Sequence, residues 1–314
     1  MASQITTLTT LDLSLWSLEP APTTSQVLSV LASNPTLHKV TLSMPEDNDD
    51  RGVNPPPRVS LRHLKELKLD GYSQYVFGFL DRLDHPKHMD QLDITLECAV
   101  EDLSHLIGPY LRHYLRHRGG SRGGLGLSLG FPLGHSIVLS VGDVGGIDFY
   151  IPAPARMNRF MTIAIDLNQS DLADTWNKAA LDLISHSPRE DIIYFHAYGD
   201  RMVMEDISAQ LPNLRGLHLD GMPLSNLDGG GEIFPSLQYV LLDEVCLGDD
   251  DWGPLATFLD WRISSGNRLH TLVLVGSYWI DPAVWGSLER SVQEFAVILL
   301  TTSTTTTTTS SPVG

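Results

Sequence analysis

His113 and His117 lie four residues apart, a spacing at which one face of a helix presents two imidazoles that can chelate a metal ion. No acid stands between them in HYLRH, and no third ligand is in view. Alternation with Arg112, Arg116 and Arg118 instead suits a helix C-terminus, whose dipole favours cations. Asp47, Asp49, Arg51 and Gly52 echo a calcium loop, but Arg51 occupies an oxygen position and Arg58 stands where the closing glutamate belongs. Gly119, Gly120, Gly123 and Gly124 lack the lysine of a phosphate loop, as do Gly142, Gly145 and Gly146, so turns are expected there. Asp249, Asp250 and Asp251 read as a solvated turn ahead of a helix at Trp252. No Gly-x-Ser-x-Gly is present, and no histidine and acid are spaced to activate a nucleophile. The residues therefore predict no enzyme, no metal and no cofactor.

Charge narrows the partners. The 314 residues include 38 acidic and 21 basic ones, a formal net charge of −17. Such a field repels phosphate backbones, so nucleic acid is not the expected partner. Hydrophobic residues make up 42%, enough for a continuous core. Cys98 and Cys246 are the two cysteines, which form neither a disulfide framework nor a zinc site. No run of about 18 apolar residues offers to span a membrane, and MASQITTLTTLDL carries no secretory leader. The expected compartment is the cytoplasm or nucleus. Without a secretion signal, Asn168-Gln169-Ser170 is a chance match to a glycosylation sequon.

What could position a binding surface is a recurring phrase, L-x-x-L-x-x-L-x-L. It reads Leu61, Leu64, Leu67, Leu69, then Leu211, Leu214, Leu217, Leu219, with a relative at Phe234, Leu237, Val240, Leu242. Alignment on its last two apolar positions gives anchors at Leu11, Val40, Leu67, Leu92, Ile163, Ile193, Leu217, Val240 and Leu272, with room for one more near Leu127. Recurrence within a window of about 20–50 residues marks a repeat architecture. Between anchors, residues 24–33, 75–83, 100–117, 171–185, 253–264 and 283–295 carry apolar residues at helical spacing. Asp281 followed by Pro282 predicts an N-cap and first helical residue. Strand, helix, strand in fixed order implies parallel strands joined by crossovers. The fold class expected is α/β, an irregular leucine-rich-repeat solenoid with its parallel sheet on the concave face and helices on the convex face.

Residues 1–300 form that repeat domain. Glycine-rich residues 119–151 interrupt it with an expected hairpin, strands 136–141 and 147–151 joined through Gly142 to Gly146. Residues 45–57 form an acidic, proline-rich loop. Residues 301–314 are threonine- and serine-rich, too polar to bury a core, and are expected to be a disordered tail.

In such a strand the anchors point into the core and the residue between them faces the other side. That column reads Asp12, Thr41, Lys68, Asp93, Ala164, Tyr194, His218, Leu241, Val273. It turns from polar to apolar along the chain. With the neighbouring columns, Tyr194, Tyr239, Leu241, Val273 and Val275 make an expected exposed apolar patch, and with His218 they are the candidate protein-binding residues. Residues 297–300 either add a last strand or fold back over part of it.

The phrases LRHLKELKLDG, LPNLRGLHLDGM and FPSLQYVLLDEV resemble the leucine-rich repeats of F-box-type proteins. More narrowly, SIVLSVGDVGGIDF, RMNRFMTIAIDL and HSPREDIIYF resemble the F-box-like proteins of mushroom-forming fungi, across roughly residues 1–300. The resemblance implies a protein partner held by the repeats as the substrate of a ubiquitin ligase. It implies a Skp-type adaptor only where an F-box is present upstream, and none is visible ahead of the first strand. The alternative is a free-standing leucine-rich-repeat adaptor or scaffold with no ligase role. The asparagine or cysteine ladder of regular repeats is replaced by Tyr72, Glu97, Met222, Val245 and Ser277, so irregular convex turns are expected.

Overall fold

The computed structural model describes residues 8–13, 22–44, 58–84, 89–98, 125–130, 136–144, 157–167, 173–199, 204–227, 233–244, 252–276, 282–300 and 305–310. Their apolar alternation produces strands. Val40, Leu42, Leu67, Leu69, Leu92 and Ile94 are buried while the residues between them are only partly covered. A period of two puts those groups on opposite faces of a sheet.

The first half contains β1 (Thr10–Leu13), α1 (Thr24–Ala32), β2 (Lys39–Ser43), β3 (Val59–Ser60), β4 (Glu66–Tyr72), α2 (Ser73–Leu80), β5 (Leu83–Asp84) and β6 (Gln91–Cys98). Then come β7 (Leu125–Gly130), β8 (Ser136–Val144), β9 (Met157–Leu167), α3 (Ala173–Ser185), β10 (Ile192–Tyr198), α4 (Met204–Gln210) and β11 (Gly216–Asp220). The chain continues through β12 (Tyr239–Asp243), α5 (Trp252–Ser264), β13 (Thr271–Gly276), α6 (Pro282–Ser291), β14 (Glu294–Leu300) and β15 (Thr305–Ser310). Thirteen strands form one open sheet in the order β1-β2-β4-β6-β9-β8-β7-β10-β11-β12-β13-β14-β15, and β3 pairs with β5 separately. The sheet is mostly parallel. Its antiparallel pairings are β7 with β8, β8 with β9, and β14 with β15.

Helices stack on the anchor face. Val27, Leu28 and Leu31 of α1, Val76 and Phe79 of α2, and Leu255, Phe258 and Leu259 of α5 share one core with the strand anchors. Helix α1 starts in a capping box: Gln26 N–H donates to Thr23 Oγ1 at 3.2 Å and Thr23 N–H donates to Gln26 Oε1 at 2.9 Å. Each such cap is worth about 1 kcal/mol.

The leucine phrase has a physical basis in a shared carbonyl. The amides of Lys65 and Glu66 both donate to His38 O, those of Gln238 and Tyr239 to Arg215 O, and those of His270 and Thr271 to Gln238 O. The same device joins Asp90 and Gln91 to Lys65 O, and His38 and Lys39 to Thr9 O. Each of these five strands thus begins on the carbonyl at the matching point of its neighbour, which fixes the register between them. Arg262 adds a buried clamp, donating from Nη1 to Phe234 O at 3.0 Å and from Nη2 to Leu237 O at 2.5 Å.

Three expectations change, and one open alternative is resolved. In the insert, β8 runs through Val144 and pairs with β7 and β9 on its two sides, in place of a hairpin with residues 147–151, which lie outside the described residues. A strand with apolar Ile137, Leu139 and Val141 on one face can take a partner at each edge. Helix α6 ends at Ser291, short of residue 295, because Val292, Phe295 and Val297 turn inward with strand alternation. Arg268 Nη2 holds that turn by donating to Arg290 O and Val292 O, each at 2.6 Å. Residues 294–300 add a parallel strand and do not fold back. Thr305–Ser310, expected to lack structure, pairs antiparallel with β14; an edge strand needs backbone groups and β-branched side chains, not an apolar face. The expected helix 100–117, with His113 and His117, and the loop 45–57 lie outside the described residues. Among the described residues no helix is long and apolar enough to cross a membrane.

Candidate functional site

The sheet face turned away from the helices carries one side chain per strand in register. From β1 to β6 the row is Asp12, Thr41, Lys68, Asp93, each opposite the next. It continues through Thr162 on β9, Ser140 on β8 and Ser128 on β7. It ends with His196, His218, Leu241, Val273 and Ala296. The expected column is recovered except at two strands, where Thr162 replaces Ala164 and His196 replaces Tyr194. The anchors there were displaced by two residues: Leu92 pairs with Met161 and Leu217 with Phe195. Both β9 and β10 hold apolar residues over more than one phase, so spacing alone admits either register, and a slip of two keeps the same face.

Three zones follow. The first is polar and half-exposed. Lys39 Nζ lies 2.8 Å from Glu66 Oε2, and Lys68 Nζ lies 3.2 Å from Asp93 Oδ2, whose carboxylate also accepts from Gln91 Nε2. Open to solvent, such pairs add little to stability. The charges fix side-chain order on a surface water can reach.

The central zone is buried and carries the titratable groups. Ser128 Oγ lies 3.0 Å from His196 Nδ1. The His196 and His218 rings stack with centroids 4.2 Å apart and planes inclined by 13°, and Tyr198 leans on His196 at 5.5 Å. His196 Nε2 is 3.9 Å from Asp220 Oδ2, and His218 Nε2 is 3.8 Å from Asp243 Oδ2. Both distances exceed a hydrogen bond, and His196 Nε2, His218 Nδ1 and His218 Nε2 have no hydrogen-bond partner. Burial pushes the His218 imidazole down to about 4, against the pull of the Asp243 carboxylate. The His196 imidazole beside Asp220 holds that carboxyl below its ordinary value, against the opposing effect of partial burial.

The third zone is apolar. Leu241, Val273, Val275, Ala296 and Ile298 form a cluster separate from the main core. The patch is not exposed: Val273 is 1% and Leu241 6% accessible. Strand β14 is one cause, since Ala296 and Ile298 flank Val273 and Val275. Tyr194 is buried beside Val144 one row away, and Tyr239 is half-buried with its ring 5.4 Å from His270. Of the six expected residues, His218, Leu241 and Val273 share one row, Tyr194 and Tyr239 a second, and Val275 a third.

Ser128 and His196 were missed. The available signal was the histidine in YFHAY, flanked on both sides by alternating aromatics. Ser128, His196 and Asp220 are the residue types of a nucleophile, a base and an orienting acid. Their arrangement does not complete one, because Asp220 is beyond hydrogen-bond reach and Ser128 is 2% accessible. Among the described residues no group of three or more His, Cys, Asp or Glu side chains is arranged to hold a metal.

Comparison with known proteins adds no family. No family model matches the chain, and no curated protein matches it.

Proposed function

We propose that the chain is a leucine-rich-repeat solenoid that recognises a protein through the face of its sheet opposite the helices, and that it selects substrates for a Skp–cullin ubiquitin ligase. One observation carries the binding reading: twelve in-register positions cross the open face, and the five from Asp12 to Thr162 leave their side chains accessible in a fixed order. A polar surface held by backbone register is pre-organised, so a partner meets it at a lower ordering cost. The ligase role rests on the resemblance of the repeat phrases to F-box-like proteins, and it includes a Skp-type adaptor only where an F-box is present upstream. It assigns the protein to the cytoplasm or nucleus.

Co-purification of the full chain with a Skp-type adaptor and its bound substrate tests the role. Joint recovery supports substrate selection. Recovery of a protein partner without the adaptor identifies a free-standing adaptor or scaffold, and the ligase role is lost.

A further inference from the structure

Charge is unevenly placed on this chain. It carries 38 acidic against 21 basic residues, yet the two turns that lead into β2 and β4, residues 34–38 and 61–65, contain His38, Arg62, His63 and Lys65 and no acid. All four side chains are exposed. The fold brings the two turns together. The amides of Lys65 and Glu66 donate to His38 O, and the His38 and His63 rings stack with centroids 6.1 Å apart. Leu37 and Leu64 fill the core, which leaves the polar side chains of both turns on the rim of the sheet. Among the described residues nothing neutralises them. Glu66, the next acid in sequence, is held by Lys39 at 2.8 Å, and neither Arg62 nor Lys65 forms an ion pair. Asp90, at the matching point ahead of β6, bounds the group on its far side.

We propose that this ledge of His38, Arg62, His63 and Lys65 is a docking site for an acidic peptide segment of a protein partner, held through its aspartate and glutamate carboxylates. The ledge is a second surface, distinct from the open face of the sheet. His38 and Lys65 stand one residue ahead of Lys39 and Glu66, where the open-face side chains begin.

The side chains suit a peptide. Arg62 offers a planar fork that takes a carboxylate in two parallel hydrogen bonds, and Lys65 adds a mobile point charge. His38 Nδ1 lies 2.8 Å from Thr36 O, which can only accept, so Nδ1 carries a hydrogen. That leaves Nε2 to accept a peptide N–H or, when protonated, to donate to a carboxylate. A phosphate cradle is built from free backbone amides. Here the amides of Leu37, His38, Leu64 and Lys65 are spent on Asn34 O, Thr9 O, Leu61 O and His38 O. An extended polyanion, such as nucleic acid or an anionic membrane, would meet the rest of a chain with net charge −17. A short acidic segment avoids that repulsion, because screening at physiological salt confines charge effects to about 8 Å.

The test is fluorescence anisotropy of the full chain with a short labelled glutamate-rich peptide and its glutamine counterpart, at neutral pH and about 0.15 M salt. Two variants run beside wild type. Arg62→Glu/Lys65→Glu reverses the ledge, and Lys178→Glu/Arg215→Glu makes the same change in net charge at exposed positions on α3 and ahead of β11. Wild type is expected to bind the glutamate peptide saturably and the glutamine peptide not at all. The ledge variant should bind at least about tenfold more weakly, and the control variant within about twofold of wild type. No saturable binding by wild type, equal binding of the two peptides, undiminished binding by the ledge variant, or an equal loss in both variants overturns the proposal. Inorganic phosphate that displaces the labelled peptide as well as unlabelled peptide does would reduce the ledge to an anion spot, and overturns it too. Matching far-ultraviolet spectra qualify the variants, and Arg62→Gln/Lys65→Gln takes the place of the reversed pair if that pair does not fold.

Discussion

The imidazoles of His196 and His218 lie nearly parallel, 4.2 Å between centroids, on adjacent parallel strands and directly opposite in register. They stand between a polar side of the open face, accessible from Asp12 to Thr162 and buried at Ser140 and Ser128, and an apolar, buried side. Neither residue gains a hydrogen bond from the other. Burial favours the neutral imidazole of His218, and the strands of the pair lie between the two parts of the surface.

Stability should therefore fall with acid in a defined window. His218 has a folded-state value of about 4 against 6.5 when free, so the unfolded chain binds more protons between these values. The destabilisation begins as pH drops below 6.5 and is complete below about 4, where it reaches roughly 3 kcal/mol. Asp220 acts in the opposite sense and lower down: its depressed value stabilises the fold above the ordinary carboxylate range and is lost as pH falls through it. Urea midpoints at pH 7 and pH 5 should be further apart for wild type than for His218→Gln. Equal spacing would remove His218 as the cause.

Arg262→Met should cost about 2–4 kcal/mol, because Phe234 O and Leu237 O would be left unpaired inside the repeat. Burial pushes the guanidinium down to about 10, which leaves it charged at pH 7. Arg262→Lys should recover only part of the loss, since one ammonium cannot reproduce the two-pronged geometry. Thermal unfolding in which all three proteins melt alike would exclude the clamp.

Gly71→Ala should destabilise by about 1–3 kcal/mol. Gly71 holds φ at 142°, and a Cβ there would sit 2.8 Å from Met44 O. Calorimetry of the variant measures the cost; an unchanged melting temperature would mean that β2 and β4 yield without loss.

Leu241→Asp with Val273→Asp should abolish the cooperative fold. Both side chains are buried, and an unpaired carboxylate in such a site is expensive. Far-ultraviolet dichroism should show unfolding at pH 7. Retention of the native spectrum would mean that this row is accessible after all and belongs to the binding surface.

The sequence made the repeat legible wherever one apolar phase dominates. LRHLKELKL and LPNLRGLHL admit a single register, and their leucines are buried as their spacing requires. Composition also separated the polar and apolar ends of the open face correctly. Register failed at β9 and β10, where MTIAI and IIYFHAY satisfy two phases, and that slip of two hid His196 and with it the stack. The antiparallel β7–β8–β9 run was only half legible, because alternation marks a strand without naming its neighbours. Burial of Val273 owes part to β14, whose first residues were read as the end of a helix. The carbonyl shared by two amides leaves no mark on side-chain identity.

The central claim is that the polar half of the open face recognises a protein. The most direct measurement compares the proteins captured by the tagged full chain with those captured by Thr41→Arg/Thr95→Arg, whose changes lie on that face, and by Gln74→Arg/Glu205→Arg, on α2 and α4. All three should share one far-ultraviolet spectrum. The account predicts that the open-face variant loses its specific partner at least about tenfold, the effect of roughly 1.4 kcal/mol, while the helix-side variant keeps it. Loss in the helix-side variant together with full capture by the open-face variant would contradict it.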